Sequence, residues 1–396
     1  MTSQPWLTII GIGEDGLDGL TAAARRLIEG AEVLVGGARH LAMVPGGAAE
    51  RLVWAKPFAQ SRPELEARRG RRMVVLASGD PLWFGAAATL ARWFEPAELS
   101  VLPHAGAFSL AAARLLWPLQ DCLCLTAHGR PLDALALHFA PGRRLLILSE
   151  DAGTPARLAE LLDRHGYGPS TLTVLEALGG PSERIVVGTR TQSDLNLVAV
   201  ECAMAAGGRP LAQGYGLPDE AFLHDGQLTK REIRAVTLAA LAPLPGELLW
   251  DVGAGCGSVA IEWMRAGGRA VAVEPRAERC DRIARNAAAL GVPGLEIIAA
   301  KAPAGLPLGG AAPAAIFVGG GVSEPGLLDI CRAALRPGGR LVANAVTSEG
   351  EAALIAFHAC HGGEMTRLAV ARLAPVGGFH TWHPAMPVTQ YCGWKR

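Results

Sequence analysis

Twice along the chain a short apolar run stops at a cluster of glycines and gives way to a helix-forming stretch. The first is Trp6–Ile10 running into Gly11-Ile-Gly13-Glu-Asp-Gly16; the second is Leu248–Val252 running into Gly253-Ala-Gly255-Cys-Gly257. Closely spaced glycines let the backbone turn sharply at a strand's C-terminal end and let a ligand approach it. Two such openings, far apart in a chain of 396 residues, predict two α/β domains with one ligand site each.

Other β-rich runs recur between Ala/Leu/Arg stretches: MVVLAS (73–78), LLILSE (145–150), TLTVLEAL (171–178), AVAVEP (270–275), AAIFVGG (314–320) and RLVANAV (340–346). Strands separated by helical segments, such as the one expected over Leu20–Gly30, argue for βα units and largely parallel sheets. The segment 204–220 carries Gly, Pro and polar residues without a sustained period, so it is the expected linker between domains at 1–205 and 206–396. No tandem repeat is visible.

Lysine plus arginine and aspartate plus glutamate each number 37, so the net charge is zero. That leaves no basic excess for nucleic acid and counts against an RNA substrate. The basic residues are nearly all arginine, with lysine only at 56, 230, 301 and 395; the bias fits a GC-rich genome, and arginine also suits bidentate binding of carboxylates, which leaves a polycarboxylate ligand open. The eight scattered cysteines include no CxxC pair and read as reduced thiols. No apolar run is long enough for a membrane helix, and the N-terminus lacks a basic signal region, so a soluble, cytoplasmic protein is expected.

In the first half the GxGxxG pattern taken alone fits a dinucleotide site, a structural turn or another ligand loop, and Glu14 and Asp15 inside it would repel a pyrophosphate. Downstream, Ser78-Gly-Asp80-Pro81 closes the strand MVVLAS and exposes a carboxylate at the sheet edge, either as a turn cap or as a ligand contact. The pieces that follow are Pro103–Ser109, His128-Gly-Arg130 and Leu178-Gly-Gly-Pro…Glu183-Arg184. In this order, over roughly residues 5–200, they resemble the tetrapyrrole (precorrin) methylases, in particular the branch of cobalamin biosynthesis acting at C5. The resemblance implies a two-lobed fold with S-adenosyl-L-methionine between the lobes, touching Asp80, Trp83 and the backbone of Ala107 and Phe108. Two departures stand out: GIGED replaces the family's GxGPG, and Ala107-Phe108 replaces a small hydroxyl pair.

In the second half, strand, DxGxGxG loop, helix, strand and a closing acid at Glu274 form a succession that fits a methyltransferase binding S-adenosyl-L-methionine, a nicotinamide or flavin enzyme, or a structural loop. The helix N-terminus can meet a carboxylate, Glu274 can accept from ribose hydroxyls, and Asp251 can orient the loop or reach an amine. With HDGQLTKREIR (224–234), AAKAPAGLP (299–307) and VGGG (318–321), residues 214–350 resemble the decarboxylating precorrin methylases acting at C15, which have a Rossmann-like domain. That resemblance places Thr229, Gly253, Ala254, Gly255, Cys256, Gly257, Glu274 and Ala302 on the cofactor. Cys256 stands where threonine is usual.

Both halves on one chain resemble the fused precorrin C5,15-methyltransferases (decarboxylating), implying conversion of precorrin-6B to precorrin-8 with loss of the ring C acetate carboxylate. The small-molecule tetrapyrrole would be the partner, with no nucleic acid, no membrane and a homo-oligomeric assembly. An RNA or protein methyltransferase with a silent N-terminal scaffold is the alternative. Lys230, Arg231 and Arg234 are candidates for substrate carboxylates or simply a solvated helix face, and Asn344 is a substrate contact or a strand-end cap. Arg68, Arg69, Arg71 and Arg72 read as a solvated loop face, with contact to an anionic ligand as the alternative. His358, Cys360, His361, His380 and His383 are read as ordinary histidines and a thiol, not a metal site, and Cys122 and Cys124 as buried thiols. No catalytic base is singled out.

Overall fold

A computed structural model describes residues 5–211 and 214–395, so Ala212 and Gln213 of the expected linker and the first four residues lie outside the described chain. The chain divides into two compact units: residues 1–130 with 139–208, and residues 131–138 with 209–396.

Unit 1 opens with five parallel strands: β1 (Leu7–Ile12), β2 (Val33–Gly36), β3 (Glu50–Val53), β4 (Met73–Ser78) and β5 (Leu99–Leu102), in the order β3-β2-β4-β1-β5. Their central members are apolar on both faces. Leu7, Ile9, Val33, Val35, Met73 and Val75 pack into one core, and Ile10, Ile12, Leu34, Val74 and Leu76 into another, as expected of a parallel sheet covered on both sides. The helix expected over 20–30 runs from Ala22 to Glu29; the Thr21 hydroxyl caps it by accepting from the Ala24 amide, and Gly30 ends it. Register sets β1 against β4 from Leu7↔Met73 to Ile12↔Ser78, so the first glycine loop and Ser78-Gly79 leave the sheet side by side.

A second sheet in unit 1 contains β6 (Cys122–Thr126), β7 (Arg144–Leu148), β8 (Thr171–Glu176), β9 (Arg184–Val187) and β10 (Asn196–Glu201), ordered β6-β7-β10-β8-β9. Only β6 and β7 are parallel. The expectation of parallel sheets fails here because the short link 177–183 returns β9 antiparallel beside β8, and β10 is inserted between β7 and β8, antiparallel to both.

Unit 2 is built on β11 (Leu248–Val252), β12 (Arg269–Val273), β13 (Glu296–Ile298), β14 (Ala315–Val318) and β15 (Arg340–Ala345), followed by β16 (Glu364–Leu368), β17 (Ala371–Val376), β18 (Phe379–Pro384) and β19 (Val388–Trp394). The sheet order is β13-β12-β11-β14-β15-β19-β16, with β11 to β15 parallel and β19 antiparallel to both its neighbours. β17 and β18 form a separate, exposed hairpin. Trp250, Val252, Ile316 and Val318 fill one side of the sheet and Leu249, Ala315 and Phe317 the other.

Candidate functional site

In unit 1 the carboxyl ends of β1, β2 and β4 converge. A Cβ on Gly11 would collide with the Gly79 carbonyl, and one on Gly79, whose φ is +52°, would lie 2.5 Å from the Gly106 Cα. These glycines are therefore dictated by the close approach of three loops. The loops bound an open cleft, lined by Ile12, Gly13, Glu14, Arg39, Ser78 and Gly79 on one side. Ala105, Ala107 and Leu110, with Leu148, Leu175, Ala177, Leu178, Leu195, Asn196 and Leu197, complete it. Arg39 pairs with Glu14 of the glycine loop and donates to the Ser78 hydroxyl at 3.0 Å; the His40 Nε2 lies 2.9 Å from the same hydroxyl. Burial and the neighbouring guanidinium push the His40 imidazole down to about 4, so it is neutral at neutral pH.

Asp80 accepts from the Leu82 amide at 2.9 Å, closing a tight turn beside the cleft. Trp83 is 44% exposed, and its ring sits 5.4 Å from that of buried Phe108. Ala107 opens the helix Ala107–Leu115 on the cleft wall, whereas the Phe108 side chain turns inward beneath Trp83 and Phe84.

In unit 2 the loop after β11 places Gly253, Gly255 and Gly257 at φ of +71°, +61° and +79°, a left-handed conformation that other residues rarely adopt. A Cβ at Gly253 would lie 2.8 Å from the Gly320 backbone, so the loop after β14 presses directly on this one. Glu274, 2% exposed at the end of β12, accepts from the Gly255 amide at 2.9 Å and the Arg276 amide at 3.2 Å. The Gln227 carbonyl approaches Gly255 from the segment before the helix Arg231–Leu241. That segment is clamped by Asp225, whose Oδ2 lies 2.9 Å from both Arg279 Nε and Arg282 Nη1; the two guanidinium groups hold its carboxyl far below the usual range. Thr229 offers its carbonyl to Arg234 at 2.6 Å, and Ala302 packs against the core beside β12 and β14. Cys256 is buried, its carbonyl accepting from Asn286 at 3.0 Å, and burial pushes its thiol up, leaving it protonated. Ala254 donates its amide to Val273 at 3.2 Å.

Asp251 is fully buried at the end of β11. Its Oδ2 accepts from the Ala260 amide at 3.0 Å, while Oδ1 has no partner. Burial, aided by the charge of Glu274, pushes the carboxyl up to about 7. Its ordinary value is near 3.8, so the folded chain holds the proton more tightly than the unfolded one. The stability this contributes is present at low pH and is lost as pH rises through about 7. Asp251→Asn removes this titration: in the ligand-free protein its thermal midpoint should exceed the parent's at pH 8.5, and the gap should close below pH 5. A gap independent of pH would contradict the assignment.

Comparison with known sequences agrees with this geometry. Residues 6–194 match the family described as Tetrapyrrole (Corrin/Porphyrin) Methylases, and residues 220–395 the Precorrin methyltransferase domain. A precorrin-6Y C(5,15)-methyltransferase [decarboxylating] from Sinorhizobium sp is 50% identical over 98% of this chain and 96% of its own length. The chain belongs to the precorrin-6Y C5,15-methyltransferase (decarboxylating) family. A second member, from Mycobacterium tuberculosis, is 42% identical over 98% of this chain and its full length. A crystal structure of the C-terminal domain of precorrin-6Y C5,15-methyltransferase from Rhodobacter capsulatus is 45% identical, covering 47% of this chain and all of that one, with a TM-score of 0.45.

As a family member the chain is a fused α/β methyltransferase, and one candidate substrate residue needs correcting. Arg234 has no exposed surface; it is ion-paired with Glu262 at 2.6 Å and Asp219 at 3.3 Å and donates to the Leu217 and Thr229 carbonyls, so no carboxylate from solvent reaches it. Half-buried Asn344 donates to Thr237 at 2.9 Å and accepts from Gln390 at 2.9 Å, bonds that match its alternative reading as a strand-end tie. Arg231 stays exposed, and Lys230 lies 3.9 Å from Asp219. Arg68, Arg69 and Arg71 pair with Glu50 and Glu98. His358 and His361 bond to the Gly363 carbonyl and Asp329, and among the described residues no three His, Cys, Asp or Glu are placed to hold a metal. Among the same residues no helix is long and apolar enough to cross a membrane. Sequence reasoning missed Arg39, His40 and Ser78 as a group. The available signal was VLVGG (33–37), a third strand ending in glycines, with Arg39 two residues on.

Proposed function

We propose that the chain methylates the macrocycle of precorrin-6B at C5 and C15 and removes the carboxyl of the ring C acetate, with C5 methylation in unit 1 and C15 methylation and decarboxylation in unit 2. The full-length likeness to precorrin-6Y C5,15-methyltransferases carries this reading, and two separate glycine-walled sites support it. Each methyl group would come from S-adenosyl-L-methionine, which supplies an electrophilic methyl on a sulfonium sulfur.

The residues of unit 2 suit that donor. Gly253, Gly255 and Gly257 bare the backbone where side chains would otherwise stand, and the buried Glu274 carboxylate already orders the loop through the Gly255 amide; it is the acceptor for ribose hydroxyls. The unpartnered Oδ1 of Asp251 offers a polar atom behind the loop, and Thr229 and Ala302 are the further donor contacts that the family resemblance implies. In unit 1, Ala107 and the Gly13 and Gly79 loops give an uncluttered wall, with Asp80, Trp83 and Phe108 at its edge. The macrocycle supplies its own nucleophilic carbon, so these residues need only align it, exclude water and hold the carboxylate rim. The protein's partner is thus the tetrapyrrole itself, and we expect a homo-oligomer, which sedimentation would test.

Mass spectrometry of the product from precorrin-6B and S-adenosyl-L-methionine tests the function. Gain of two methyl groups with loss of carbon dioxide is expected. A single methyl gained would restrict activity to one unit, and an unaltered macrocycle would overturn the reading.

A further inference from the structure

The cleft of unit 1 is walled chiefly by Leu, Ile, Ala and Gly, and Arg39 is the one cation among its lining residues. Arg39 sits just beyond the carboxyl end of β2 and is held from two sides. One side is Ser78 at the end of β4, whose hydroxyl also meets His40. The other is Glu14, contributed by the glycine loop itself. The Arg39 side chain nevertheless keeps 40% of its surface exposed and that of Glu14 22%, although the Glu14 Oε1 that meets the guanidinium is itself buried, so Arg39 faces the cleft where a ligand carboxylate can reach it. An apolar slot with a single fixed cation fits a flat, largely apolar ring carrying carboxylates at its rim, and a guanidinium fork pairs with a carboxylate in two parallel hydrogen bonds.

We propose that Arg39 is a carboxylate-exchange site: Glu14 occupies it in the free protein, and a rim carboxylate of the tetrapyrrole displaces Glu14 on binding. The inference rests on the proposed function above and deepens it, by naming the residue that recognises the macrocycle in unit 1. Ser78 and neutral His40 act as positioning residues, holding the guanidinium toward the cleft whether or not Glu14 is paired. The unusual GIGED loop thereby acquires a purpose. Its acid shields the cation when no substrate is present, and its release frees the loop beside Gly13.

Kinetics of the full chain with precorrin-6B test this, with methylation at C5 and C15 resolved by mass spectrometry of time courses. For Arg39→Met we expect KM for the macrocycle in C5 methylation to rise roughly tenfold to a hundredfold, with kcat changed less and C15 methylation within about twofold of the parent. Arg39→Lys, which keeps the charge but loses the fork, should fall between. Glu14→Gln removes the competitor while leaving Arg39 in place, and should lower the same KM several-fold. Inhibition of C5 methylation by S-adenosylhomocysteine should be unchanged in all three.

An unchanged KM in Arg39→Met, or no tightening in Glu14→Gln, would overturn the proposal. Weakened S-adenosylhomocysteine inhibition with unchanged macrocycle KM would also overturn it, assigning the carboxylate to the methyl donor. Should Arg39→Met fail to fold by circular dichroism, the Glu14→Gln result decides. A parent protein that leaves the macrocycle unmethylated would instead defeat the proposed function.

Discussion

Replacing Arg234 by methionine is expected to destabilise unit 2 by about 3–5 kcal/mol, the usual cost of breaking one side of a buried ion pair. The guanidinium has no solvent contact, and Glu262 beneath it is equally buried. Glu262 also accepts from the Gly216 and Leu217 amides at 2.6 and 3.0 Å, and Phe222 stacks 4.7 Å from the Arg234 carbon. Loss of the arginine strands a carboxylate in the core and releases both the chain around 217 and the Thr229 carbonyl. Hydrogen exchange should therefore accelerate in helices Arg231–Leu241 and Ser258–Arg265 while β1 to β5 keep their protection. Pairing the change with Glu262→Gln should recover part of the loss, because the stranded charge is gone. A single Arg234→Met variant that unfolds within about 1 kcal/mol of the parent would show that the cluster is replaceable.

Gly253→Ala is the second large effect. The substitution sets an alanine at φ +71° and drives its Cβ to 2.8 Å from the Gly320 backbone. Left-handed strain alone costs about 1–2 kcal/mol, and the contact adds a comparable amount unless the loop after β14 retreats. Either response distorts the wall on which a donor would lie, and a loss of roughly a hundredfold in C15 methylation corresponds to such an energy. C5 methylation, carried by other residues, should persist, so the product should bear one added methyl and retain its carboxyl. Gly11→Ala, whose Cβ meets the Gly79 carbonyl and the His104 amide, should give the mirror result. If Gly253→Ala left both methylations at parent rates, the loop would not be the donor site.

The strands that end in glycines were legible because each couples an apolar run to a residue type only a turn requires. MVVLAS and LLWDVG fall on β4 and β11 within a residue or two, and RLVANAV, an apolar run without a closing glycine, falls on β15. Pairing direction was less visible. The antiparallel pairings of unit 1 come largely from the insertion of β10 between β7 and β8, which no local run announces, and the tail from 364 onward forms strands whose residues are mostly exposed, apart from β19, and so shows no buried pattern. Among site residues, position along the chain was readable and orientation was not. Arg231 and Arg234 share one helix, yet one faces water and the other the core, a distinction made by Glu262 and Asp219 from distant segments. The group of Arg39, His40 and Ser78 was hidden for the same reason: its members meet only because β2 and β4 are neighbours in the sheet.

The placement of β19 has a consequence for how the polypeptide matures. Unit 1 has all its strands once residue 201 is made. In unit 2, by contrast, β15 and β16 are joined only through β19, from Arg340↔Trp394 to Ala345↔Thr389 on one side and Glu364↔Cys392 to Leu368↔Val388 on the other. Until residue 394 has left the ribosome, β15 presents a bare hydrogen-bonding edge and β16 has no sheet to join. The first methyltransferase half can therefore fold while the second is still being synthesised, and the nascent chain carries the open edge of β15 from residue 345 until β19 is complete.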